Sequence, residues 1–486
     1  MKIVRLYLLL ALSLGFFIGQ AQEVLKPSDF LTSEFHKERR DELRKIMPAK
    51  SVAVFFANPV RNRSNDVDFL YHQDPNLYYL TGYQEPHAVL LIFKENQTAQ
   101  NNESYNEIIF VQPRNEFGEM WTGRRLGAQG VKDNLKINMS FKNTDFANYP
   151  VDFSKFDKVL FQEFFNDVRD TREPGDLYDL IEQFKSKAGY NVAGSLETEP
   201  RAQNLDTQGL NALMSQLRGV KTEEEIALLR KAVEISAIGQ LEVMKAMKPG
   251  LSEREIQGIH EFVFKKYGAE YEGYPSIVGG GHNGCILHYQ ENYKPSVSST
   301  EMVLMDLGAE YRGYTADVTR TIPTKGTFSP EQKAIYDLVY EAQEAGIKKT
   351  VAGGTMMEVH MATLTVINEG LVELGIIKSA DQRHMYYPHG CCHHIGLDVH
   401  DLGGYTLEEN MVITVEPGIY IPADSDCDEK WWGIAVRIED DILVTKDGPE
   451  ILSSMAPRKS DEIEKAMKET SILDSFVLPE LGKGKD

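Results

Sequence analysis

Asp306-Leu307-Gly308-Ala309-Glu310-Tyr311-Arg312-Gly313-Tyr314-Thr315-Ala316-Asp317 decides how the second half of this 486-residue chain is read. The runs on either side, residues 302–306 and 316–322, are apolar and strand-like. With Tyr311 and Arg312 as the central residues of a hairpin, Asp306 and Asp317 face each other directly, their Cβ atoms ~4.5–5.5 Å apart. Like charges so placed are destabilising unless something positive lies between them. A divalent cation or a shared proton meets that need. The bland alternative is two surface aspartates beside a turn, although Asp is disfavoured inside strands.

Three more stretches carry the same chemistry. Pro388-His389-Gly390-Cys391-Cys392-His393-His394-Ile395-Gly396-Leu397-Asp398-Val399-His400 holds four of the chain's 12 histidines. Together they suggest a metal ligand plus proton-transfer groups. Val412-Ile413-Thr414-Val415-Glu416-Pro417-Gly418 and Val436-Arg437-Ile438-Glu439-Asp440-Asp441 each set a Glu at or within an apolar run. A lone buried Glu is costly, whereas a Glu on a metal is not. An ion pair of Arg437 with Glu416 or Glu439 is the competing explanation. Four carboxylates and one His form a plausible set for two divalent ions ~3.5–4 Å apart sharing a hydroxide. Oxygen-rich ligation without thiolate favours Mn²⁺ or another fairly hard ion.

Around these stretches the second half is a run of helices and a run of strands. Capping boxes begin at Thr222, Ser252, Ser329 and Thr355, the third followed by Pro330 at the first helical position. Strand-like runs fall at residues 411–416 and 434–444, and Cys285-Ile286-Leu287-His288-Tyr289 reads as another. In the first half, short runs rich in Val, Ile and Phe at residues 51–57, 88–93, 108–112 and 158–162 read as buried strands. Helical patterns at 33–46 and 176–187 accompany them. This predicts an α+β protein with a smaller α/β domain over 30–200, a polar linker near 193–206, and a catalytic domain over 215–465.

Lys2 and Arg5, the apolar run 6–18 and Gly19-Gln20-Ala21 have the layout of a signal peptide over residues 1–21. The run is shorter than the ~20 residues a spanning helix needs. The mature protein is therefore expected to be exported, periplasmic or secreted, and free of the membrane. A net charge of −21 repels phosphate backbones, so no nucleic-acid partner is expected. Four cysteines are too few to staple a chain this long.

Other motifs fail on context. Gly279-Gly280-Gly281-His282-Asn283-Gly284 has dinucleotide spacing, but no helix pattern follows it. Its glycines fit a loop where backbones approach closely. His260-Glu261 lacks the second His of a zincin helix, and adjacent Cys391-Cys392 lack C-x-x-C spacing.

The order Asp306, Asp317, His393, Glu416, Glu439 is similar to the dinuclear-metal pita-bread peptidases: methionine aminopeptidase, prolidase and aminopeptidase P. Asn283-Gly284-Cys285-Ile286-Leu287-His288-Tyr289, Thr319-Arg320-Thr321, His400-Asp401 and Arg437-Ile438-Glu439-Asp440-Asp441 resemble bacterial aminopeptidase P. Arg61-Asn62-Arg63, Leu80-Thr81-Gly82-Tyr83-Gln84-Glu85-Pro86 and Trp121-Thr122-Gly123-Arg124-Arg125-Leu126-Gly127 resemble that family's N-terminal domain. The likeness runs from about residue 30 to 465.

The resemblance implies a pita-bread catalytic domain that removes an N-terminal residue preceding proline. It implies that Asp306 chelates one metal, that Asp317 and Glu439 bridge, and that His393 and Glu416 complete the other site. A bridging hydroxide would attack the scissile carbonyl, with Glu416 as proton shuttle. His288, His389 and His400 would bind substrate and stabilise the tetrahedral intermediate, and Arg437 would orient Asp306 or the substrate. The partners expected are peptides with proline second and further copies of the chain, as a dimer or tetramer. Prolidase, which cuts only Xaa-Pro dipeptides, is the nearest rival. A non-catalytic pita-bread binding module is the rival from another class.

Overall fold

The first half of the chain is organised by a six-stranded sheet. Its spatial order is Ser140–Lys142, Ser104–Val111, Val89–Thr98, Ser51–Phe56, Lys158–Leu160, Leu205–Asp206. Ser51–Phe56 pairs antiparallel with Val89–Thr98 and parallel with Lys158–Leu160. Four of these strands contain the apolar runs read in the sequence, buried where Val, Leu, Ile and Phe occupy both faces. Ser140–Lys142 and Leu205–Asp206 were not expected, and the second falls within the stretch read as a linker. Phe110, Phe146, Phe153, Phe161 and Phe184 fill the core beneath them, with Phe184 supplied by the helix Leu177–Ala188. The structure, a computed structural model, describes residues 28–99, 101–190, 202–476 and 478. The signal-peptide reading and most of the expected linker lie outside them. Among the described residues no helix is long and apolar enough to cross a membrane.

The second half follows its caps. Glu223–Ala246, Glu253–Lys266, Pro330–Ile347 and Met356–Glu373 are helices, and each opens with a reciprocal capping box at the residue the sequence indicated. They pack around short antiparallel sheets: Ile277–Gly280, Met302–Leu307 and Val318–Pro323 in one, and Val412–Val415, Asp440–Thr445 and Gly448–Ile451 in another. The two halves touch through buried groups. Tyr78 Oη donates to Arg312 O at 3.0 Å and Tyr79 Oη to Leu217 O at 3.1 Å.

Three expectations need correction. The hairpin turns at Arg312-Gly313, one residue later than expected, so Asp306 opposes Thr319 and not Asp317. The φ angles of 53° and 86° at Arg312 and Gly313 explain why. A two-residue turn matched to twisted strands needs positive φ at both positions, and Gly313 adopts it without a Cβ penalty. The slip moves the pairing by two residues, so both carboxylates keep the same face. Second, Cys285–Tyr289 is not a strand: a 3₁₀ turn covers Gly281–Cys285 and irregular chain follows. A Cβ on Gly279 would lie 2.7 Å from Gly284 N, so this is a close backbone approach. Third, residues 434–444 form two strands, Ile434–Arg437 and Asp440–Thr445, in different sheets. Glu439 sits in the break.

Candidate metal centre

The strand ends just described deliver the site. Asp306 lies near the end of Met302–Leu307, Asp317 just ahead of Val318–Pro323, Glu416 just past Val412–Val415, and Glu439 in the strand break. His393 lies on the segment that runs alongside Val412–Val415, with its N–H on Thr414 Oγ1. All five line one cavity of about 450 Å³ together with His288, His389, His400 and Arg437. Every ligand or catalytic candidate from the sequence is therefore in one place.

The local geometry suits metal ligation. Side-chain ligand atoms of Asp317, His393 and Glu439 lie within 4.8 Å of one another. His393 Nε2 is 3.5 Å from both Asp317 Oδ2 and Glu416 Oε1. His393 Nδ1 is 3.0 Å from His394 O. A carbonyl can only accept, so Nδ1 donates to it and Nε2 is the ring nitrogen that faces the carboxylates. Asp306 is held differently: Arg437 Nη2 donates to its Oδ2 at 2.5 Å.

Electrostatics point the same way. Burial, reinforced by neighbouring carboxylates, pushes Asp317 and Glu439 well above the usual carboxylate range. Burial also pushes Glu416 up to about 7. It would raise Asp306 too, but the Arg437 guanidinium and the Tyr274 hydroxyl together hold Asp306 below its ordinary value. Four carboxylates thus share one guanidinium. Residues of this kind, with one imidazole nitrogen aimed among them, fit divalent cations, whose charge removes the repulsion. Cys392 also lines the cavity, but its thiol donates to Met356 O at 3.5 Å.

Several groups in the site escaped sequence reading. Tyr274 Oη touches both Asp306 Oδ1, at 2.6 Å, and Asp317 Oδ1. Tyr420 Oη accepts from Arg437 Nη1 at 2.9 Å and lies 2.9 Å from His389 Nε2. His389 Nδ1 donates to Gly390 O at 2.7 Å, and burial pulls this ring down to about 4, so its neutral Nε2 accepts the Tyr420 proton. Thr319 Oγ1 donates to Glu439 Oε2 at 2.6 Å, and Asp441 Oδ2 accepts from Asp317 N at 3.0 Å. For Asp441 the signal was available: two acids directly following Glu439 in an apolar run. The two tyrosines gave none: Tyr420 sits in the buried strand Gly418–Ile421, where an aromatic reads as core, and Tyr274 lies in a bend after Tyr271–Glu272.

Comparison with known proteins agrees with the geometry. Residues 227–446 match metallopeptidase family M24, and residues 36–159 match the aminopeptidase P N-terminal domain. The Xaa-Pro aminopeptidase of Haemophilus influenzae is 35% identical over 452 residues, spanning 90% of this chain and 98% of that protein. Among solved structures, Escherichia coli aminopeptidase P with the inhibitor Pro-Leu superposes with a TM-score of 0.79 at 32% identity. It covers 90% of this chain and 98% of its own. The proline aminopeptidase P II of Yersinia pestis gives 0.78 at 34%, covering 90% and 99%. The pita-bread α+β expectation holds, and this chain belongs to the aminopeptidase P group of metallopeptidase family M24.

Proposed function

We propose that this chain is an exported Xaa-Pro aminopeptidase that hydrolyses the bond between an N-terminal residue and a following proline. The observation that carries the reading is the cavity in which Asp306, Asp317, His393, Glu416 and Glu439 meet around a single guanidinium. Two divalent ions held there, Mn²⁺ by the oxygen-rich donor set, would supply Lewis acidity and a water acidic enough to attack at neutral pH. Asp306, Asp317, His393, Glu416 and Glu439 would hold them.

The chain's own groups then have distinct tasks. Glu416 would take the proton of the attacking water and return it to the proline nitrogen as the C–N bond breaks. Like any amide nitrogen, that atom must be protonated to leave, and because it is ring-substituted it leaves as a secondary amine. His288 and His400, at the cavity wall, can donate to the carbonyl oxygen as it gains charge. Arg437 fixes Asp306, and through Tyr420 it fixes the His389 ring.

The test is hydrolysis of an Xaa-Pro-Yaa peptide by metal-free and Mn²⁺-reconstituted protein. Release of the first residue, dependent on added metal, is expected. Activity confined to Xaa-Pro dipeptides would make the chain a prolidase, and bound metal without turnover a binding module. The exported form, read as a homo-oligomer, should begin near Gln22. N-terminal sequencing that returned Met1 from exported protein would remove the signal-peptide part of the proposal.

A further inference from the structure

His400 projects into the cavity from a loop whose ends are pinned together: Asp401 N donates to His394 O at 2.9 Å. Its ring centre lies 4.2 Å from that of His393. No side chain among the described residues hydrogen-bonds the His400 ring, so its direction is inherited from the backbone on either side. That backbone is gripped from behind. Arg218, in the helix Gly209–Gly219, donates through Nη2 to Asp398 Oδ2 at 2.9 Å and to Asp401 Oδ1. The two aspartates flank His400 in sequence, and one nitrogen holds both. The other arm, Nη1, donates to Asn76 Oδ1 at 2.8 Å, in the helix Pro75–Thr81 of the first half. Lys221 Nζ lies 3.3 Å from the second oxygen of Asp401.

This arrangement is an expensive way to gain stability. The Arg218 side chain is 3% exposed and that of Asp401 2%. Desolvating two such charges offsets most of their attraction, and an apolar contact of the same shape would serve stability as well. A planar guanidinium gives something an apolar contact cannot, which is a fixed direction for the groups it holds. What it directs here is the segment carrying His400.

We propose that Arg218 is a positioning residue that sets the direction of the His400 ring by clamping Asp398 and Asp401, without itself reaching the cavity. The proposal rests on the Xaa-Pro peptidase reading for the role of His400. It adds that a residue of the helix leading into the catalytic half, tied to the first half through Asn76, controls that role.

The experiment is a double-mutant cycle on metal-loaded protein with an Xaa-Pro tripeptide. It uses Arg218→Lys, Asp398→Asn, His400→Ala and the two doubles with His400→Ala. Asp398 is the safer arm, because its side chain is 46% exposed and its loss leaves the buried Arg218–Asp401 pair intact. Arg218→Lys and Asp398→Asn should each lower kcat about 10-fold, as supporting groups behind an active-site histidine do. Bound metal should stay at wild-type levels. In the His400→Ala background neither should cost more than about twofold further, because the group they act through is gone. Amide exchange over residues 394–403 should quicken in both single variants. Additive losses, unchanged kcat in both singles, or losses that track metal content would overturn the clamp. If Arg218→Lys does not fold, Asp398→Asn decides alone. A wild-type protein that cleaves no Xaa-Pro peptide would refute the peptidase reading instead. The exchange measurement would then judge whether the clamp holds the loop, with unchanged exchange counting against it.

Discussion

Among the residues lining the cavity, Arg437 is the one permanent cation, and it is already spent on Asp306, Tyr420 and Thr319. Asp317 and Glu439 are buried beside each other and Glu416, and burial, reinforced by these neighbouring charges, raises their carboxyls. Glu439→Ala removes a carboxylate with a ligand atom within 4.8 Å of those of Asp317 and His393. Outer groups around a metal cost 10–100-fold when lost, so loss of a shared ligand should exceed about 100-fold in rate, with metal lost in step. Elemental analysis beside a tripeptide assay checks this; full occupancy with normal turnover would show that Glu439 does not bridge. His400→Ala should behave oppositely: near-wild-type metal with a rate lowered ~10²–10³-fold, the cost of one donor to developing charge. Metal lost in proportion to rate would make His400 a ligand. These residues were legible because acids in apolar runs and clustered histidines are anomalies. Tyr274 and Tyr420 were not, because a buried hydroxyl has no signature until its partner is placed.

At the level of elements, legibility followed locality. Each capping box closes within four residues, so the four helix starts at Thr222, Ser252, Ser329 and Thr355 could be read directly. The hairpin at 306–319 was half legible. Alternation gave the shared face of Asp306 and Asp317, but register depends on turn type, and Arg312 with φ 53° is a conformation that sequence rarely advertises. The break at Ile438-Glu439 was hidden because residues 434–444 contain no glycine or proline to mark it. It arises from two sheets competing for one chain, which is a tertiary fact. The turn itself can be tested. Gly313→Ala puts a Cβ at φ 86° and 3.0 Å from Tyr78 Cε1. The left-handed conformation alone costs about 1–2 kcal/mol. Denaturant titration of the variant should show a loss of that order or slightly more, with unchanged slope. Since the same hairpin carries Asp317, apparent metal affinity should fall too. A variant as stable as wild type would mean the turn relaxes to another type.

For the whole molecule, the site sets how stability depends on pH, and the sign differs with and without metal. In the metal-free protein Glu416 is raised to about 7 and Asp441 to about 8, each from an ordinary value near 4. Burial is the largest cause for both. The folded state therefore holds protons that the unfolded chain has released across this window. Stability changes with pH in proportion to protons bound by the unfolded state minus those bound by the folded state, which here is negative. The metal-free protein should lose stability as pH rises from about 4 to about 8. Thermal melts of chelator-treated protein at pH 5 and pH 8 measure it, with the lower melting temperature expected at pH 8. Glu416→Gln should flatten the trend, because its side chain has no proton to release. Divalent metal reverses the slope. Ligands must be deprotonated to bind, so affinity grows with pH and binding releases protons. A metal at about 100 times its Kd adds about 2.7 kcal/mol to the folded state. Mn²⁺ should therefore raise the melting temperature more at pH 8 than at pH 5, and titrations in buffers of different ionisation enthalpy should register the released protons. Metal-free protein that grew more stable over the same range would show that these carboxyls are not held protonated, and that something other than an ion already balances their charge.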